Sequence, residues 1–584
     1  MDVQDTDRNA GVRYEPDEKP PTLLSLGLGA QLAVLCIAGI VLTPAIVIRA
    51  AGGSESYLSW AVFAAVAISG VSTLTQAARF GRVGAGYVLL MGTSGAFIAV
   101  CITAIAEGGP AMLATLVVIS SFFQFSLASR LSLFRRILTP GVAGTVIMLI
   151  PVTVMPLIFD MLTDVPGESL SAAAFAALAT VLVIAGLALK ARGTLRLWAP
   201  VAGVAAGSVV AGLFGIYDTN LIAEASWLGV PSGGWPGLDL SFGPTFWALL
   251  PAFAFVTLVG AIETIGDAVA IQRVSYRRAQ AVDFRAVQGA LAADGMGNLL
   301  SGLAGTMPNT TYSTSVSVTE LTGVGARTVG MAVGAVFVGM AFLPKALAVL
   351  LAIPGPVAAA YITVLMAMLF VIGMKIVVQD GVDYRKGLVV GVSFWIGVGF
   401  QNGVIFPEYF GGFVGGLLQN GMTAGGLAAI VMTMFVELTG PQRRQMETQC
   451  HLSALPEIQT FLSDFASRHG WGRIMRNRLD TAVEETLVTL LQRDEGDETR
   501  EARRLQLVAH RENGSAVLEL IASSDVEQNL QDRVALLSED MDTPSVEREV
   551  SLRLLRHVAS SIRHQQYHDT DVITIRVKAP APDA

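Results

Sequence analysis

Between residues 24 and 438 the chain is a succession of apolar segments, most of them close to the length of a membrane span, joined by short polar connections. The hydrocarbon core of a bilayer is about 30 Å thick and takes about 20 helical residues to cross, so this feature constrains the fold more than any other. Lipid offers no hydrogen bonds. A crossing segment must therefore be a helix, or else backbone sheltered by protein or by a water-filled cavity. On this basis spans are expected at 24–50, 57–79, 84–106, 110–129, 137–162, 170–190, 197–216, 244–272, 285–304, 306–323, 327–350, 353–375, 386–403 and 410–438, about fourteen in all.

Composition sets the limits of the membrane region. The whole chain is 52% hydrophobic and only 15% charged, which excludes an ordinary soluble domain of this size. From about Gln442 onward Arg, Glu and Asp return, and all six histidines (His451, His469, His510, His557, His564 and His568) fall there. The expected division is a polar segment 1–22, a membrane region 23–440 and a soluble region 441–584. A net charge of −8 leaves no basic footprint, so no nucleic-acid partner is expected. Cys36, Cys101 and Cys450 are too few and too scattered for a disulfide framework or a metal site. No metal, cofactor or catalytic constellation is expected, and the chain is not read as an enzyme. Residues 1–20 are polar and charged, so no cleavable leader is expected.

Lys and Arg give an orientation. Arg79 and Arg82, then Arg130, Arg135 and Arg136, then Lys190, Arg192 and Arg196, then Arg273, Arg277, Arg278 and Arg285, and last Lys375, Arg385 and Lys386 fall in every second connection. The alternate connections carry Glu55, Glu107, Asp160, Asp164, Glu168 and Glu408. The positive-inside rule then places the basic connections and both termini in the cytoplasm.

Two segments break the apolar pattern. One is Gly305-Thr-Met-Pro-Asn-Thr-Thr-Tyr-Ser-Thr-Ser-Val-Ser317, a run of hydroxyls and one amide; the other is Gly84-Ala-Gly-Tyr-Val-Leu-Leu-Met-Gly-Thr-Ser-Gly-Ala-Phe97. They are the tenth and third segments, seven apart. Broken members at corresponding positions are the mark of inverted repeats that meet at a mid-membrane substrate site. The plainer alternative for the tenth is an ordinary loop outside the membrane.

Few carboxylates interrupt the spans, and the most deeply placed are Glu263 and Asp267 in Leu258-Val-Gly-Ala-Ile-Glu-Thr-Ile-Gly-Asp-Ala268. A charge at mid-membrane costs about 2.5–3.5 kcal/mol on insertion scales, so it is rarely left there without a task. Their spacing of four puts both on one helix face. A carboxylate there can exchange a proton, accept N–H donors or coordinate Na⁺; the plainer alternative is that it pairs with an internal polar group. The membrane region holds no histidine, so a coupled proton must travel on carboxylates, water or Tyr.

These motifs, taken in order, resemble the nucleobase–ascorbate transporter family, also called nucleobase–cation symport 2 or xanthine/uracil permeases. The resemblance runs over residues 14–440. It rests on Tyr14-Glu-Pro-Asp-Glu-Lys-Pro-Pro21, Gly29-Ala-Gln31 through Pro44, Gly70-Val-Ser-Thr-Leu-Thr-Gln76 and Gly92-Thr-Ser-Gly-Ala-Phe97. It continues through Leu138-Thr-Pro-Gly-Val-Ala-Gly-Thr145, Glu263-Thr-Ile-Gly-Asp267, Asp294-Gly295 and Pro308-Asn-Thr-Thr-Tyr312.

What the resemblance implies is an all-α polytopic protein of fourteen segments in two inverted seven-segment repeats. A core and a gate domain are expected, with a short strand from each of segments three and ten, and a homodimer. Glu263 would hold ring N–H groups of the base, and Asp267 matches the purine-type branch. Thr314, Ser315, Tyr312, Ser94, Gly95, Ala96, Phe97 and Gln31 would line the substrate site, with Glu263 and Asp267 in cation coupling. The chain departs from the family pattern in the tenth segment: where the family has Glu or Gln, Asn and later Gly, this chain has Thr314, Ser315 and Ser317. Leu32 likewise replaces a His that often follows the Gln. A shorter side chain at 314 leaves room for a larger or differently decorated ligand, or for water.

Past residue 441 the patterning is that of a soluble α+β domain. Helices are expected at 476–491 and about 545–563, and strands at 505–510, 516–521 and 572–577. This order resembles a degenerate histidine-kinase-type ATPase fold of the anti-sigma-factor kinase kind. Glu485 is followed by Thr489 where that fold has Asn, and Asp525 lacks the glycines that should follow it. Glu547-Arg-Glu-Val-Ser-Leu552 stands where a Gly-rich phosphate loop would be. A binding or dimerising module without catalysis is expected.

The expected function is a secondary active transporter of the inner membrane, moving a nucleobase or related heterocycle such as a purine, xanthine, urate or uracil with H⁺ or Na⁺. An anion carrier is an alternative that the acidic Glu263 argues against. A membrane sensor signalling through 441–584 is the alternative from another class.

Overall fold

The computed structural model describes residues 11–134, 139–163, 165, 170–231, 233–378, 381, 383–409, 418, 420–439, 443–491, 504–512, 514–522, 529–536 and 546–579. Arg135, Arg136, Asp164, Glu168 and Asp525, which bore on orientation or on the nucleotide-like region, lie outside these residues, as does the side chain of Thr489.

In chain order the helices are α1 (Thr22–Ala50), α2 (Glu55–Ala78), α3 (Ile98–Ser129), α4 (Leu131–Phe134), α5 (Pro140–Met161), α6 (Leu170–Lys190), α7 (Thr194–Leu197), α8 (Ala199–Leu213) and α9 (Thr219–Glu224). They continue with α10 (Pro244–Ser275), α11 (Phe284–Ala304), α12 (Thr314–Thr322), α13 (Arg327–Ala341), α14 (Pro344–Leu351), α15 (Gly355–Val378), α16 (Tyr384–Gln401) and α17 (Gly421–Thr439). Among the described residues eight helices are long and apolar enough to cross a membrane, or nine if α13 and α14 form one bent span.

The departures from simple spans have local causes. The expected spans 84–106 and 110–129 share one helical run, α3, broken at Gly109 (φ 81°). Pro110 has no N–H to give the preceding turn, and the positive φ before it suits glycine. The expected span 327–350 bends by 87° between α13 and α14, where Pro344 turns Leu343 away from helical geometry (φ −112°, ψ 73°). Segments three and ten are not helical throughout, which qualifies the all-α expectation. Each opens with a strand, β1 (Leu90–Thr93) and β2 (Asn309–Tyr312), paired antiparallel with Gly92 opposite Thr310. α11 is a full-length helix but carries Gln288, Asp294, Asn298 and Ser301 on buried positions.

Small residues let the helices approach closely, as is common where apolar helices pack without a lipid-excluding drive. α2 meets α13 at Gly70 and Gly334, where a Cβ on Gly70 would sit 2.8 Å from Gly334 O. α5 meets α15 at Gly144 and Gly373, where a Cβ on Gly144 would sit 2.6 Å from Gly373 O. A third such contact brings Gly302 of α11 onto α3 beside Val118 N. Within this unit α1, α2, α3, α10, α13 and the strand pair form one packed group, and α5, α6, α8, α15 and α16 another.

The segment before α1 is held by backbone. Arg13 N donates to Gly323 O (2.6 Å), Gly325 N to Tyr14 O (2.8 Å) and Arg327 N to Pro16 O (3.0 Å). Arg277, just past α10, donates both Nη1 (2.8 Å) and Nη2 (2.6 Å) to the Glu18 carboxylate, a bidentate, charge-assisted pair. That guanidinium holds the Glu18 carboxyl below its ordinary range.

Clustering by contacts places residues from Val436 onward, together with Arg278–Arg285, in a second compact unit. Its sheet has five antiparallel strands in the order β3-β4-β5-β7-β6: β3 (Arg444–Gln449), β4 (Arg504–Glu512), β5 (Ser515–Ala522), β6 (Ser561–Gln566) and β7 (Asp571–Lys578). Its helices are α18 (Leu455–Arg468), α19 (Arg473–Leu491), α20 (Leu530–Leu536) and α21 (Val546–Val558). The expected strands 505–510, 516–521 and 572–577 and the helix 476–491 are present. The helix expected over 545–563 ends at Val558, because β6 begins at Ser561. Ile458, Leu462 and Phe465 of α18 join Leu479, Val483 and Leu487 of α19 and Leu507, Leu518 and Ile575 of the sheet in one core.

Candidate functional site

The site is built where α10 passes the paired strands. β1 ends at Thr93, and the Ser94 N–H donates to Pro308 O (2.8 Å), which closes the strand pair at that end. A 3₁₀ turn, Gly95–Phe97, then leads into α3 and packs on α10. Phe97 is fully buried against Phe253, with ring centroids 6.1 Å apart, and its Cε2 lies 3.9 Å from where a Cβ on Gly260 would be. Glu263 follows Gly260 by three residues, on the same side of α10. On the other strand β2 runs into α12 at Thr314, through Ser313. A helix start thus flanks the strand pair at each of its two ends, each with N–H groups that have no partner in their own helix.

The two carboxylates of α10 are treated differently. Asp267 is buried and accepts from Thr311 Oγ1 (2.8 Å) and Ser313 Oγ (2.6 Å), so it fastens β2 and the start of α12 to α10. Glu263 is partly exposed and accepts no hydrogen bond from any described residue, while lying within electrostatic reach of Asp267, Asp294 and Tyr312. An acceptor left open beside a strand pair is suited to a ligand that brings N–H groups.

Several expected site residues are brought together here and already have partners. Tyr312 is laid over Gly92, where a Cβ would sit 2.4 Å from Tyr312 Cζ, and its hydroxyl donates to Thr93 O (3.0 Å). Ser315 is buried and donates to Tyr312 O (2.8 Å). Thr314 opens α12, which packs on α1. Gly95 and Ala96 belong to the turn, with Met366 of α15 nearest to Gly95. Ser94 Oγ and Thr310 Oγ1 are buried with no partner among the described residues; buried hydroxyls in that state are offered to a ligand or to water. Gln31 is half-buried on α1, away from any described hydrogen bond.

A second polar group, not among the candidate site residues, is joined to α10 at Thr264, next to Glu263. Asp294 Oδ2 accepts from Gln124 Nε2 (2.6 Å) and from Thr264 Oγ1 (2.7 Å), the residue next to Glu263. Asn298 donates to Gln124 Oε1 (2.6 Å), and its own Oδ1 accepts the Asn309 N–H (2.6 Å) at the head of β2. Ser69 of α2 then donates to Asn309 Oδ1 (3.3 Å). α2, α3, α10, α11 and β2 are therefore tied through one buried chain of amides and hydroxyls. The signals in the sequence were the Asp294-Gly295 pair and the lone amide Gln124 inside an apolar span. Among the described residues no cluster of His, Cys, Asp and Glu is arranged to hold a metal ion.

The family model described as the permease family, of the xanthine/uracil type, matches residues 24–404. The chain is 28% identical over 453 residues to the xanthine permease XanP of Escherichia coli, covering 73% of this chain and 95% of that protein. It is 26% identical over 436 residues to the uric acid permease PucK of Bacillus subtilis, covering 73% and 98%. Among solved structures it is similar to the murine anion transporter Slc26a9 in its inward-facing state, with TM-score 0.49 and 12% identity, over 74% of this chain and 71% of that one.

Proposed function

Because this chain belongs to the permease family, whose model spans residues 24–404, we infer that it is a multi-pass membrane transporter of a nucleobase. The single observation that carries the reading to the site is the open carboxylate of Glu263 beside the Gly95–Phe97 turn and the start of α12. A flat heterocycle with adjacent ring N–H groups can donate to Glu263, stack near Phe97 and present its carbonyl oxygens to the unpaired N–H groups of the two helix starts. A xanthine- or urate-like purine satisfies all three requirements. Thr314 is shorter than the acid or amide of the family pattern, which favours a bulkier ring system over a small pyrimidine.

The same geometry supports coupling to H⁺ as part of this reading. Glu263 is the group free to gain and lose a proton, whereas Asp267 is committed to Thr311 and Ser313. The finer architecture of this reading is fourteen segments in two inverted repeats, with the two packed helix groups serving as core and gate. The glycine contacts support it: α2 against α13 has its counterpart in α11 against α3, while α5 against α15 is its own counterpart. An inner-membrane location, cytoplasmic termini and a homodimer complete the proposal.

Cells making the full-length protein are expected to accumulate labelled xanthine or urate several-fold above vector controls, with accumulation collapsed by a protonophore. Failure to accumulate any purine or pyrimidine base would refute nucleobase transport, and insensitivity to the protonophore would refute proton coupling.

For residues 441–584 we propose a nucleotide-free relative of the anti-sigma-factor kinase fold. The element order β-α-α-β-β-α-α-β-β supports it, and the glycines that would let backbone approach phosphate are missing from the sequence. Titration of the full-length protein with Mg-ATP in a calorimeter is expected to give no heat of binding; a micromolar isotherm would overturn this.

A further inference from the structure

The connection between α10 and α11 joins the two helices that carry Glu263, Asp267, Asp294 and Asn298, and its residues Arg278–Arg285 belong to the C-terminal unit. Inside that unit two contacts hold it. The Ala281 N–H donates to Asp532 Oδ1 (2.6 Å), and the Phe284 ring is tilted against the Tyr567 ring with centroids 5.1 Å apart.

Asp532 and Tyr567 stand on one braced corner of the sheet. Asp532 lies in the first turn of α20, whose start is tied to β6: the Leu530 N–H donates to His564 Nδ1 (2.9 Å), and Asn529 Nδ2 donates to His564 O (2.9 Å). His564 is fixed from behind, its Nε2 lying 3.4 Å from Asp571 Oδ2 with both side chains almost wholly buried. Tyr567 follows β6 directly in the turn to β7, which is closed by its N–H donating to Thr570 O (2.9 Å). A backbone N–H of the connection is thus bonded to a side chain whose own support is buried, and the flanking aromatic is seated on the same corner. An exposed connection needs no such fixture to remain a loop.

We propose that the C-terminal unit is a clamp on the α10–α11 connection and acts as a brake on transport. The proposal rests on the transport reading above, because its consequence is mechanical. Alternating exposure of the site requires the α10 and α11 ends of the carboxylate helices to shift, and a connection held by Asp532 and Tyr567 resists that shift. The partner the corner fits is therefore this chain's own connection, recognised by one free backbone N–H and one aromatic ring three residues apart.

The test uses full-length protein and two readouts. Hydrogen exchange of the peptide containing Ala281 is read by mass spectrometry, and the initial rate of labelled xanthine or urate uptake is measured over a range of concentrations. Asp532→Ala and Phe284→Ala are each expected to speed exchange at Ala281 about tenfold or more. Both should raise the maximal uptake rate about two- to fivefold with the half-saturating concentration unchanged. Phe284→Ala leaves the corner itself untouched, so loosening of α20 by the other variant does not hide the answer. His564→Ala, which does not touch the connection, should speed exchange as well. Unchanged exchange in Asp532→Ala and Phe284→Ala overturns the clamp, and faster exchange with an unchanged or lower maximal rate overturns the brake. If wild-type protein carries no nucleobase, the transport reading has failed while exchange still reports on the clamp.

Discussion

Replacing Glu263 by Gln is expected to abolish nucleobase uptake while leaving the protein inserted and folded. The substitution keeps the shape and removes the charge, so a charge-assisted acceptor worth about 1.5–3 kcal/mol is lost, a factor of about 10 to 150 in affinity. It also removes the group proposed to carry the coupled proton. No described residue donates to Glu263, so nothing in the resting protein is left unsatisfied and stability in detergent should not fall. Uptake at the wild-type rate by Glu263→Gln would remove the central residue of the proposed site, and a large loss of thermal stability would show that the carboxylate is structural instead.

Asp294→Ala has the opposite signature. Its carboxylate serves Gln124 and Thr264 at once and lies next to the Asn298 link to the head of β2. Truncation removes the acceptor of three buried donors, Gln124 Nε2, Thr264 Oγ1 and Asn298 Nδ2, at about 1–3 kcal/mol for each donor left unsatisfied. Apparent melting in detergent is then expected to fall by roughly 5 °C, and uptake to fall with it, because β2 loses its anchor on α11. Asp294→Asn keeps one acceptor but turns an amide N–H₂ toward existing donors, so an intermediate loss is expected. A melting temperature equal to wild type for Asp294→Ala would contradict the tie between α3, α10 and α11. Comparing the two carboxylates in one assay separates an acceptor held open for a ligand from one that holds the helices.

The extent to which each part could be read in advance follows from how local its cause is. The strands 505–510, 516–521 and 572–577 lie in the middle of the sheet order, as parts of β4, β5 and β7, and their burial leaves an apolar alternation that sequence exposes. β3 and β6 are the two edges; Arg444-Gln-Met-Glu-Thr-Gln449 and Ser561-Ile-Arg-His-Gln-Gln566 are mostly polar, as edge strands that avoid further pairing often are. α18 carries its own sequence signal: Ile458, Leu462 and Phe465 repeat at helical spacing and all three are buried.

By itself the sequence determined which part of the chain belongs in a membrane, that segments three and ten are broken, and that Glu263 and Asp267 share a helix face. Each follows from residues near one another in the chain: length and apolarity against bilayer thickness, polar runs against the cost of unpaired backbone, a spacing of four against the helical repeat. Only the tertiary structure decided that the two carboxylates differ, with Asp267 bonded to Thr311 and Ser313 and Glu263 left open. It alone brought Gln124 to Asp294 across 170 residues of sequence, laid Tyr312 on Gly92, and put Ala281 on Asp532. A hydrogen bond is won or lost within a few tenths of an ångström, and that distance is set by packing among helices remote in sequence, which no local pattern encodes.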